Sequence, residues 1–343
     1  MKRLFALVVV LTALLPLCAQ DEANPVADAK AVVTSGCARF TVLTPEMIRI
    51  QYSDGRKFED RATFAVINRK LPVPAYKVRK KGGWLTITTE ALTLRYKMGE
   101  PINADNAEAL SVTPKLQGQP VTWHPGMQDT QNLKGTTRTL DGQNGTNKEQ
   151  ALENGLLSRS GWSIIDESPR TKRGDGSTSF AFDGDVDGMP WVAEPVDKEA
   201  VDWYFLGYGH QYRKALGDFT KIAGRQPMPP LYVLGYWYSK YQRYTADEFK
   251  QIATDVRQNQ IPMDVMIFDM DWHTEGWTGW TWDRSVIPDP EGLIDFMHQK
   301  GLKVALNLHP ADGVDDDEDF FDDVRKDMGL GQDVKRVPWN LSD

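Results

Sequence analysis

The amino-acid sequence predicts a chain of two parts, an antiparallel β-sandwich followed by the alternating strands and helices of an α/β fold. Residues 32–209 alternate between apolar and polar positions with a period of two and are interrupted by turn residues, which is typical of a sandwich. After a proline-rich break at 227–230 the pattern becomes strand, helix, strand. That alternation is typical of a parallel sheet covered by helices.

The first twenty residues have the composition of a secretory signal peptide. Lys2 and Arg3 precede an apolar run at 4–15, and the small residue Ala19 comes shortly before Asp21. A run of this length is too short to span a bilayer and is normally removed from the mature protein. We therefore expect residues 1–20 to direct export to the periplasm or the cell exterior. We expect no transmembrane segment in the rest of the chain.

Composition excludes one class of partner. The formal net charge is -8, from 40 basic and 48 acidic residues, whereas proteins that bind nucleic acid usually carry a basic surface. The hydrophobic share of 41% is ordinary for a soluble globular protein. Export leaves one cysteine, Cys37, so an internal disulfide is excluded and stability must come from buried apolar surface.

The sandwich domain is predicted at 30–209, and its clearest strands alternate in hydrophobicity. They lie at 48–52, 84–88, 92–96, 162–165, 180–182 and 201–206. The pair Gly82-Gly83 predicts a tight turn before the second of these strands. A connecting helix at 210–222 and the prolines that follow it predict a linker at 210–230.

The α/β part, 231–343, shows three strand-and-helix units in succession. We predict strands at 231–236, 265–268 and 303–308 and a last amphipathic helix near 320–328. Thr245 and Glu248 form a capping box before the first helix, and Asp289 caps the second helix with Pro290 in its first turn. The units fit either a doubly wound sheet or a (β/α)8 barrel, and this segment is less than half of the roughly 250 residues that a whole barrel needs.

The most informative stretch is 264–283, where an apolar strand turns abruptly acidic and aromatic. Polar groups at the carboxyl ends of parallel strands form the sites of α/β folds. Asp269 and Asp271 could accept hydrogen bonds from sugar hydroxyl groups, and tryptophan faces stack on sugar rings. The tryptophans in question are Trp272, Trp277, Trp280 and Trp282, of which we expect two to line the site. Two carboxylates one residue apart in a strand face opposite ways, so the second must be carried by the following loop.

Two other interpretations of acidic residues were weighed. Asp269, Asp271, His273 and His309 are residue types that bind metals, but their spacing has no specific ligand signature. The run at 315–319 has the charge of a calcium loop without the glycine at its sharp turn. It is better interpreted as a solvated helix start.

Several motifs in the same order and with the same gaps resemble glycoside hydrolase family 31. These are PPLYVLGYW at 229–237, IPMDV at 261–265, FDMDW at 268–272, TWD at 281–283, PDP at 288–290 and KGLKV at 300–304, with GLLSRSGW at 155–162 upstream. The resemblance implies a β-sandwich followed by the first part of a (β/α)8 TIM barrel. It also implies retaining hydrolysis of α-glycosidic bonds.

The same resemblance assigns site residues. It implies that Asp269 and Asp271 hydrogen-bond the sugar in the cleavage subsite and that the loop after the second strand lines the site. The expected substrate-binding residues are Asp269, Asp271, Trp272, Trp282, Asp283 and His309. His309 departs from the aspartate that many members carry before the proline, which affects sugar preference. The family's nucleophile and acid/base, both aspartates, are expected beyond Asp343, so this chain is expected to carry no catalytic residue and no hydrolase activity by itself.

The sequence therefore predicts part of an exported retaining α-glycosidase of the α-glucosidase type. Its partner would be an oligosaccharide or another α-glycoside, and the reaction requires neither an organic cofactor nor a metal. Two alternatives stay open: a carbohydrate-binding protein without catalysis, and a metal-dependent hydrolase on the same scaffold.

Overall fold

The protein is described by a computed structural model. The structure describes residues 23–115, 121–135, 152–169, 181–186, 189–274, 279–309 and 313–338. The predicted signal peptide at 1–20 lies outside these residues. The chain forms two compact units that divide between Gln226 and Pro227. Within the described ranges, none of the helices combines the length and hydropathy needed to cross a membrane.

The first unit is rich in antiparallel strands. They are β1 Val32–Ser35, β2 Ala38–Val42, β3 Met47–Tyr52, β4 Ala62–Thr63, β5 Tyr76–Lys81, β6 Trp84–Thr89, β7 Leu92–Lys97, β8 Leu110–Pro114, β9 Ser163–Asp166, β10 Ala181–Val186, β11 Met189–Ala193 and β12 Val201–Leu206. A 3-10 turn at Ala29–Ala31 precedes them, and helix α1, Tyr212–Ala223, follows them. The strands form three sheets, in the orders β1-β2-β3-β12-β9, β5-β6-β7-β8 and β11-β10-β4.

One hydrophobic cluster joins the two larger sheets. Ile50 and Phe205 of the five-stranded sheet and Ile87 and Leu94 of the four-stranded sheet belong to it, and all four are fully buried. The predicted alternation is confirmed for β6 and β7, where the side chains of one face are buried and those of the other are more exposed. β3 and β12 are instead buried on both faces. The turn at Gly82 and Gly83 has φ angles of +59° and +79°, which glycine adopts without strain.

A buried charged cluster lies under β12. Arg49 donates from Nε to Asp202 Oδ1 at 2.8 Å and from Nη2 to Oδ2. Arg69 donates to the hydroxyl of Tyr204 at 2.7 Å, and its Nη2 lies 3.7 Å from Glu167 Oε2. Burial is the main cause that raises the pKa of Glu167 above its ordinary value. The Arg49–Asp202 pair links β3 to β12, and the Arg69–Glu167 pair links the segment before β5 to the residue after β9.

The second unit alternates strands and helices. Its elements are a 3-10 turn at Leu231–Leu234, β13 Trp237–Tyr238, α2 Ala246–Gln258, β14 Val265–Phe268, α3 Pro290–Gln299, β15 Lys303–Leu306, β16 Val314–Asp315, α4 Phe321–Asp327 and β17 Arg336–Val337. β13, β14 and β15 form a parallel sheet in chain order, with one helix between each pair of strands. β16 and β17 form a short antiparallel pair.

Helix starts in this unit follow their predicted caps. Thr245 and Glu248 make both hydrogen bonds of the capping box at the start of α2. Asp289 accepts from the backbone N–H of Gly292, with Pro290 as the first residue of α3. Buried residues of both helices pack on Met266 and Phe268 of β14. The prediction of β14 at 265–268 is confirmed residue for residue.

The predicted first strand at 231–236 is wrong. Residues Leu231–Leu234 form a 3-10 turn in which Val233 N–H donates to Pro230 O at 3.0 Å, and the strand begins only at Trp237. Leu231 and Leu234 are exposed, so this apolar run is not the buried strand that its composition indicated. A short apolar run cannot by itself distinguish a strand from a helical turn, and proline at the N-cap favours the turn.

Candidate functional site

The candidate site lies where the three parallel strands of the second unit end. Ser239 follows β13, Asp269 follows β14 and Asn307 follows β15, each directly after the last strand residue. Parallel strands present their carboxyl ends at the same edge of the sheet. The topology therefore brings these three polar side chains together although 68 positions separate Ser239 from Asn307 in the chain.

Asp269 is the centre of this group. Its Oδ2 accepts a short hydrogen bond from the hydroxyl of Ser239, and its Oδ1 accepts from Asn307 Nδ2 at 2.8 Å. The backbone N–H of Asn307 donates to Phe268 O at 3.0 Å, which keeps β15 in register up to this point. Asp269 is half-buried. Both carboxylate oxygens are thus oriented by neighbouring strands while the group stays accessible.

Asp271 and Trp272 lie on the loop that follows β14. Asp271 has a φ angle of +55°, a left-handed conformation that aspartate tolerates better than most residues. This turn directs Trp272 inward, where its side chain is 4% exposed and its Nε1 donates to Asn307 O at 2.8 Å. The placement corrects the expectation that Trp272 lines the opening, because its indole packs in the core and supports the end of β15.

An isolated antiparallel bridge between His273 and Trp282 brings Trp282 and Asp283 close to Trp272. Asp283 N–H donates to Trp272 O at 2.9 Å, and the two indoles lie 4.8 Å apart. Asp283 accepts from the hydroxyl of Ser285 at 2.6 Å and from Arg243 at 2.9 Å. Hydrogen bonds from Ser285, together with the nearby Arg243 guanidinium, hold the pKa of Asp283 below its ordinary value, so it stays ionised at neutral pH.

Glu318 anchors the other half of this loop. Its Oε1 accepts from the backbone N–H of Trp280 at 2.9 Å, and its Oε2 accepts from the backbone N–H of Thr281 at 2.8 Å. Glu318 is 7% exposed. The interpretation of 315–319 as a solvated helix start is therefore wrong for Glu318, and residues 314–315 form a strand. Trp277 and Glu275 lie outside the described residues.

The two histidines occupy different environments. His273 is buried against Trp272, with ring centroids 5.0 Å apart, and forms an isolated antiparallel bridge with Trp282. His309 is half-buried and follows β15 by three residues. In the described part of the chain no group of three or more His, Cys, Asp and Glu side chains is arranged to hold a metal ion. The structure therefore offers no support for the metal-dependent alternative.

Sequence reasoning identified Asp269 and missed its two partners. Asn307 was hidden because the third strand was predicted to continue to 308, whereas it ends at Leu306. Ser239 was hidden because the first strand was predicted to end before Trp237. The signal that could have found both is simple: each is the first polar residue after an apolar strand of the same parallel sheet.

A parallel sheet that ends in polar groups is typical of the sites of α/β folds, and comparison with known proteins indicates which family it resembles. Residues 226–340 match the sequence profile described as the glycosyl hydrolases family 31 TIM-barrel domain. Over this part, the chain matches glycoside hydrolase family 31, the family that its motifs resemble, and its parallel strands and helices correspond to part of a TIM barrel.

Curated relatives agree with this assignment. The chain is 29% identical over 178 residues to an alpha-xylosidase, XylQ, of Lactiplantibacillus pentosus, a match that covers 50% of the chain and 22% of the relative. It is 32% identical over 143 residues to alpha-glucosidase 2 of Bacillus thermoamyloliquefaciens, a match that covers 42% of the chain and 17% of the relative. The matched segments thus span less than a quarter of either relative.

Solved structures share the fold over a longer part of the chain. A family 31 alpha-xylosidase from a soil metagenome, complexed with xylose, matches with a TM-score of 0.55 and 16% identity over 87% of this chain and 48% of the other. A family 31 dextranase of Flavobacterium johnsoniae, complexed with glucose, matches with a TM-score of 0.56 and 17% identity over 87% of this chain and 39% of the other. At these identities the likeness is one of fold, a β-rich domain followed by part of a TIM barrel.

Proposed function

We propose that this chain forms the sugar-binding part of an exported α-glycosidase that hydrolyses O-glycosidic bonds of oligosaccharides. The observation that carries the proposal is the carboxylate of Asp269, which Ser239 and Asn307 orient at the ends of three parallel strands. An ionised carboxylate has about four lone-pair positions, and the two neighbours use one on each oxygen. The remaining positions suit the hydroxyl groups of a bound sugar, in line with relatives named alpha-xylosidase and alpha-glucosidase.

The other site residues are proposed to act around Asp269. Asp271, half-buried on the loop, is the second acceptor for sugar hydroxyls. Asp283, ion-paired with Arg243, contributes a charged wall, and Trp282 supports it by packing on Trp272 and Phe268. His309 is proposed to influence which sugar is accepted, because it follows the same strand as Asn307.

Hydrolysis is proposed to proceed with retention, through two carboxylates about 5–5.5 Å apart and a covalent glycosyl-enzyme. The proposal assigns the nucleophile and the acid/base to positions outside these 343 residues. The chain alone is therefore expected to bind sugar without cleaving it. Residues 1–20 are proposed as a cleaved export signal and 30–209 as a β-sandwich domain. N-terminal sequencing of the exported protein tests the cleavage.

The test uses the Asp269→Asn variant of the full-length protein, assayed on p-nitrophenyl α-D-xyloside and α-D-glucoside. Hydrogen bonds to a charged group contribute about 1.5–3 kcal/mol each, so we expect affinity for the accepted sugar to fall by roughly one to two orders of magnitude. Asp255→Asn is the matched control. It makes the same chemical change at an exposed residue of α2, outside the site.

Four results are informative. Wild-type turnover, with an affinity for the sugar that Asp269→Asn lowers as expected and Asp255→Asn preserves, would support the proposal. Sugar binding without turnover in the full-length protein would favour the carbohydrate-binding alternative. Unchanged affinity and turnover in Asp269→Asn would contradict the assigned site, and sustained turnover by the 343-residue chain would contradict the assignment of catalytic residues to positions outside it.

A further inference from the structure

The outer face of the four-stranded sheet in the first unit has an ordered arrangement of side chains. The register of β5 to β8 places alternate residues of each strand on this face, opposite the buried Leu85, Ile87 and Leu94. They form three rows across the sheet: Lys81, Trp84 and Lys97; Arg79, Thr86, Arg95 and Ser111; and Lys77, Thr88, Thr93 and Thr113. These eleven residues are called the basic sheet face below.

The basic sheet face carries five cations and no acid, in a chain whose formal net charge is -8. All five cations are exposed. Among the described residues only Lys97 of the five has a carboxylate partner, Glu100 at 3.2 Å. The Arg95 guanidinium lies 4.6 Å from the ring centroid of Trp84. Stacking on an indole limits the rotamers of arginine and leaves its N–H groups able to bind an anion.

Protection of a sheet edge explains only part of this pattern. Charged side chains on an edge strand discourage pairing with other chains, and β5 is an edge strand. That accounts for Lys77, Arg79 and Lys81. Arg95 and Lys97, however, lie on β7, which has a neighbouring strand on each side. A second line of cations on an interior strand needs another reason.

The geometry of a sheet gives that reason. Neighbouring strands lie about 4.8 Å apart, and residues on one face follow each other by about 6.7 Å along a strand. The cations of β5 and β7 therefore form two lines roughly 9.6 Å apart, with Trp84, Thr86 and Thr88 of β6 between them. The middle line offers an indole and hydroxyl groups, and the outer lines offer positive charge.

We propose that the basic sheet face binds a polyanionic polysaccharide, with the sugar chain along β6 and its carboxylate or sulfate groups paired with the cations on either side. Hydroxyl groups of Thr86 and Thr88 suit a sugar chain better than a bilayer, because the three rows include no aliphatic side chain that could insert into lipid. The overall negative charge disfavours unspecific attraction to nucleic acid. This inference does not rest on the proposed function of the second unit.

The experiment measures binding of the full-length protein to dextran sulfate and to polygalacturonate, with neutral dextran for comparison. The test variant is the triple replacement Lys77→Gln, Arg79→Gln and Arg95→Gln. The matched control is Lys198→Gln, Lys326→Gln and Lys335→Gln, three exposed lysines elsewhere that give the same change in net charge. Circular dichroism checks that both variants fold, as expected for replacements of exposed side chains.

We expect the wild type to bind at least one of the two polyanions, with an affinity that falls as salt rises. The affinity of the test variant for the polyanion should fall about tenfold or more, which corresponds to the loss of three exposed ion pairs. The affinity of the control should change by less than about threefold. Equal losses in both variants, or no binding to either polyanion at low salt, would overturn the proposal. Tighter binding to phosphatidylglycerol vesicles or to duplex DNA than to both polysaccharides would overturn it in favour of those ligands.

Discussion

At the scale of single residues, the orientation of Asp269 is the feature on which the proposed role of the second unit depends. A free aspartate at a strand end would rotate among several conformers, and binding would cost the entropy of ordering it. Here Ser239 and Asn307 each hold one oxygen. The carboxylate is therefore ordered before any ligand arrives, which is the condition for tight and specific binding.

Replacement of Asn307 tests this orientation through its pH dependence. Asn307→Asp places a second carboxylate against Asp269 Oδ1, where the wild type has a hydrogen bond of 2.8 Å. Two carboxylates at this distance share a proton, so the pKa of the pair rises. We expect sugar affinity to fall at pH 8 and to recover near pH 5, because the shared proton restores a hydrogen bond. Titrations of sugar binding between pH 5 and pH 8 measure this change in affinity.

Asn307→Leu is the control for that prediction. Leucine removes the hydrogen bond without adding a titratable group, so its loss of affinity, about tenfold, should be the same at both pH values. If the Asp variant lost affinity equally at every pH, Asn307 would have only a structural role at the end of β15. A crystal structure of Asn307→Leu with the Asp269 carboxylate unmoved would also contradict the orienting role, without reference to any sugar.

Residue patterns predicted Asp269 and could not predict the geometry around Asp271. The alternation of a strand places residues 269 and 271 on opposite faces, but β14 ends at Phe268. Asp271 then adopts a left-handed backbone conformation. The periodicity of the sequence does not predict that turn. It depends on Trp272 entering the core, which is a tertiary contact.

At the scale of elements, the acidic segment before α4 and the tryptophan-rich loop after β14 act together. Glu318 satisfies two backbone N–H groups of the loop, and Thr274 donates from its hydroxyl to Asp317 Oδ2 at 3.0 Å. Composition alone made the acidic run look like a solvated surface. The contact joins positions more than thirty residues apart, so nothing local in the sequence indicates it.

Glu318→Gln should loosen this loop without unfolding the unit. The glutamine side chain keeps one acceptor oxygen, but its NH2 group replaces the second oxygen and faces a backbone N–H. At least one charge-assisted hydrogen bond of about 1.5–3 kcal/mol is therefore lost. We expect hydrogen-exchange protection of the Trp280 and Thr281 amides to fall by roughly one to two orders of magnitude. Asp319→Asn, at the exposed neighbour, should leave that protection unchanged. Equal effects of the two variants would contradict the anchoring role of Glu318.

The sequence predicts best those elements whose ends carry a strong local signal. The caps of α2 and α3 each join groups three residues apart, and both form as predicted. The strand before α2 has no such signal. The apolar residues 231–236 lie before that strand, and Leu231–Leu234 form a 3-10 turn that follows Pro230.

At the scale of the whole molecule, the two compact units should unfold independently. Phe205 is fully buried in the first unit and Phe268 in the second. Truncation of a buried phenylalanine to alanine costs about 3–5 kcal/mol. We expect the 343-residue chain to show two calorimetric transitions. Phe205→Ala should lower the midpoint temperature of one, and Phe268→Ala should lower the midpoint temperature of the other. A single transition that both variants shift equally would show one cooperative unit instead.

The order of motifs along the chain carried more information about the whole molecule than any composition value. Charge and hydrophobicity excluded a class of partner but left enzyme and binding protein equally open. The FDMDW and TWD motifs at 268–272 and 281–283, with their spacing, indicated the family whose TIM-barrel profile matches 226–340. They could not reveal Ser239 or Asn307, because the orientation of Asp269 arises only when β13, β14 and β15 lie side by side.

The measurement that tests the central claim most directly is a crystal structure of the full-length protein soaked with xylose or glucose. The account predicts a sugar hydroxyl about 2.5–3.0 Å from a carboxylate oxygen of Asp269, with the hydrogen bonds from Ser239 and Asn307 retained. A sugar bound away from these strand ends, or an Asp269 carboxylate turned away from the bound sugar, would contradict it.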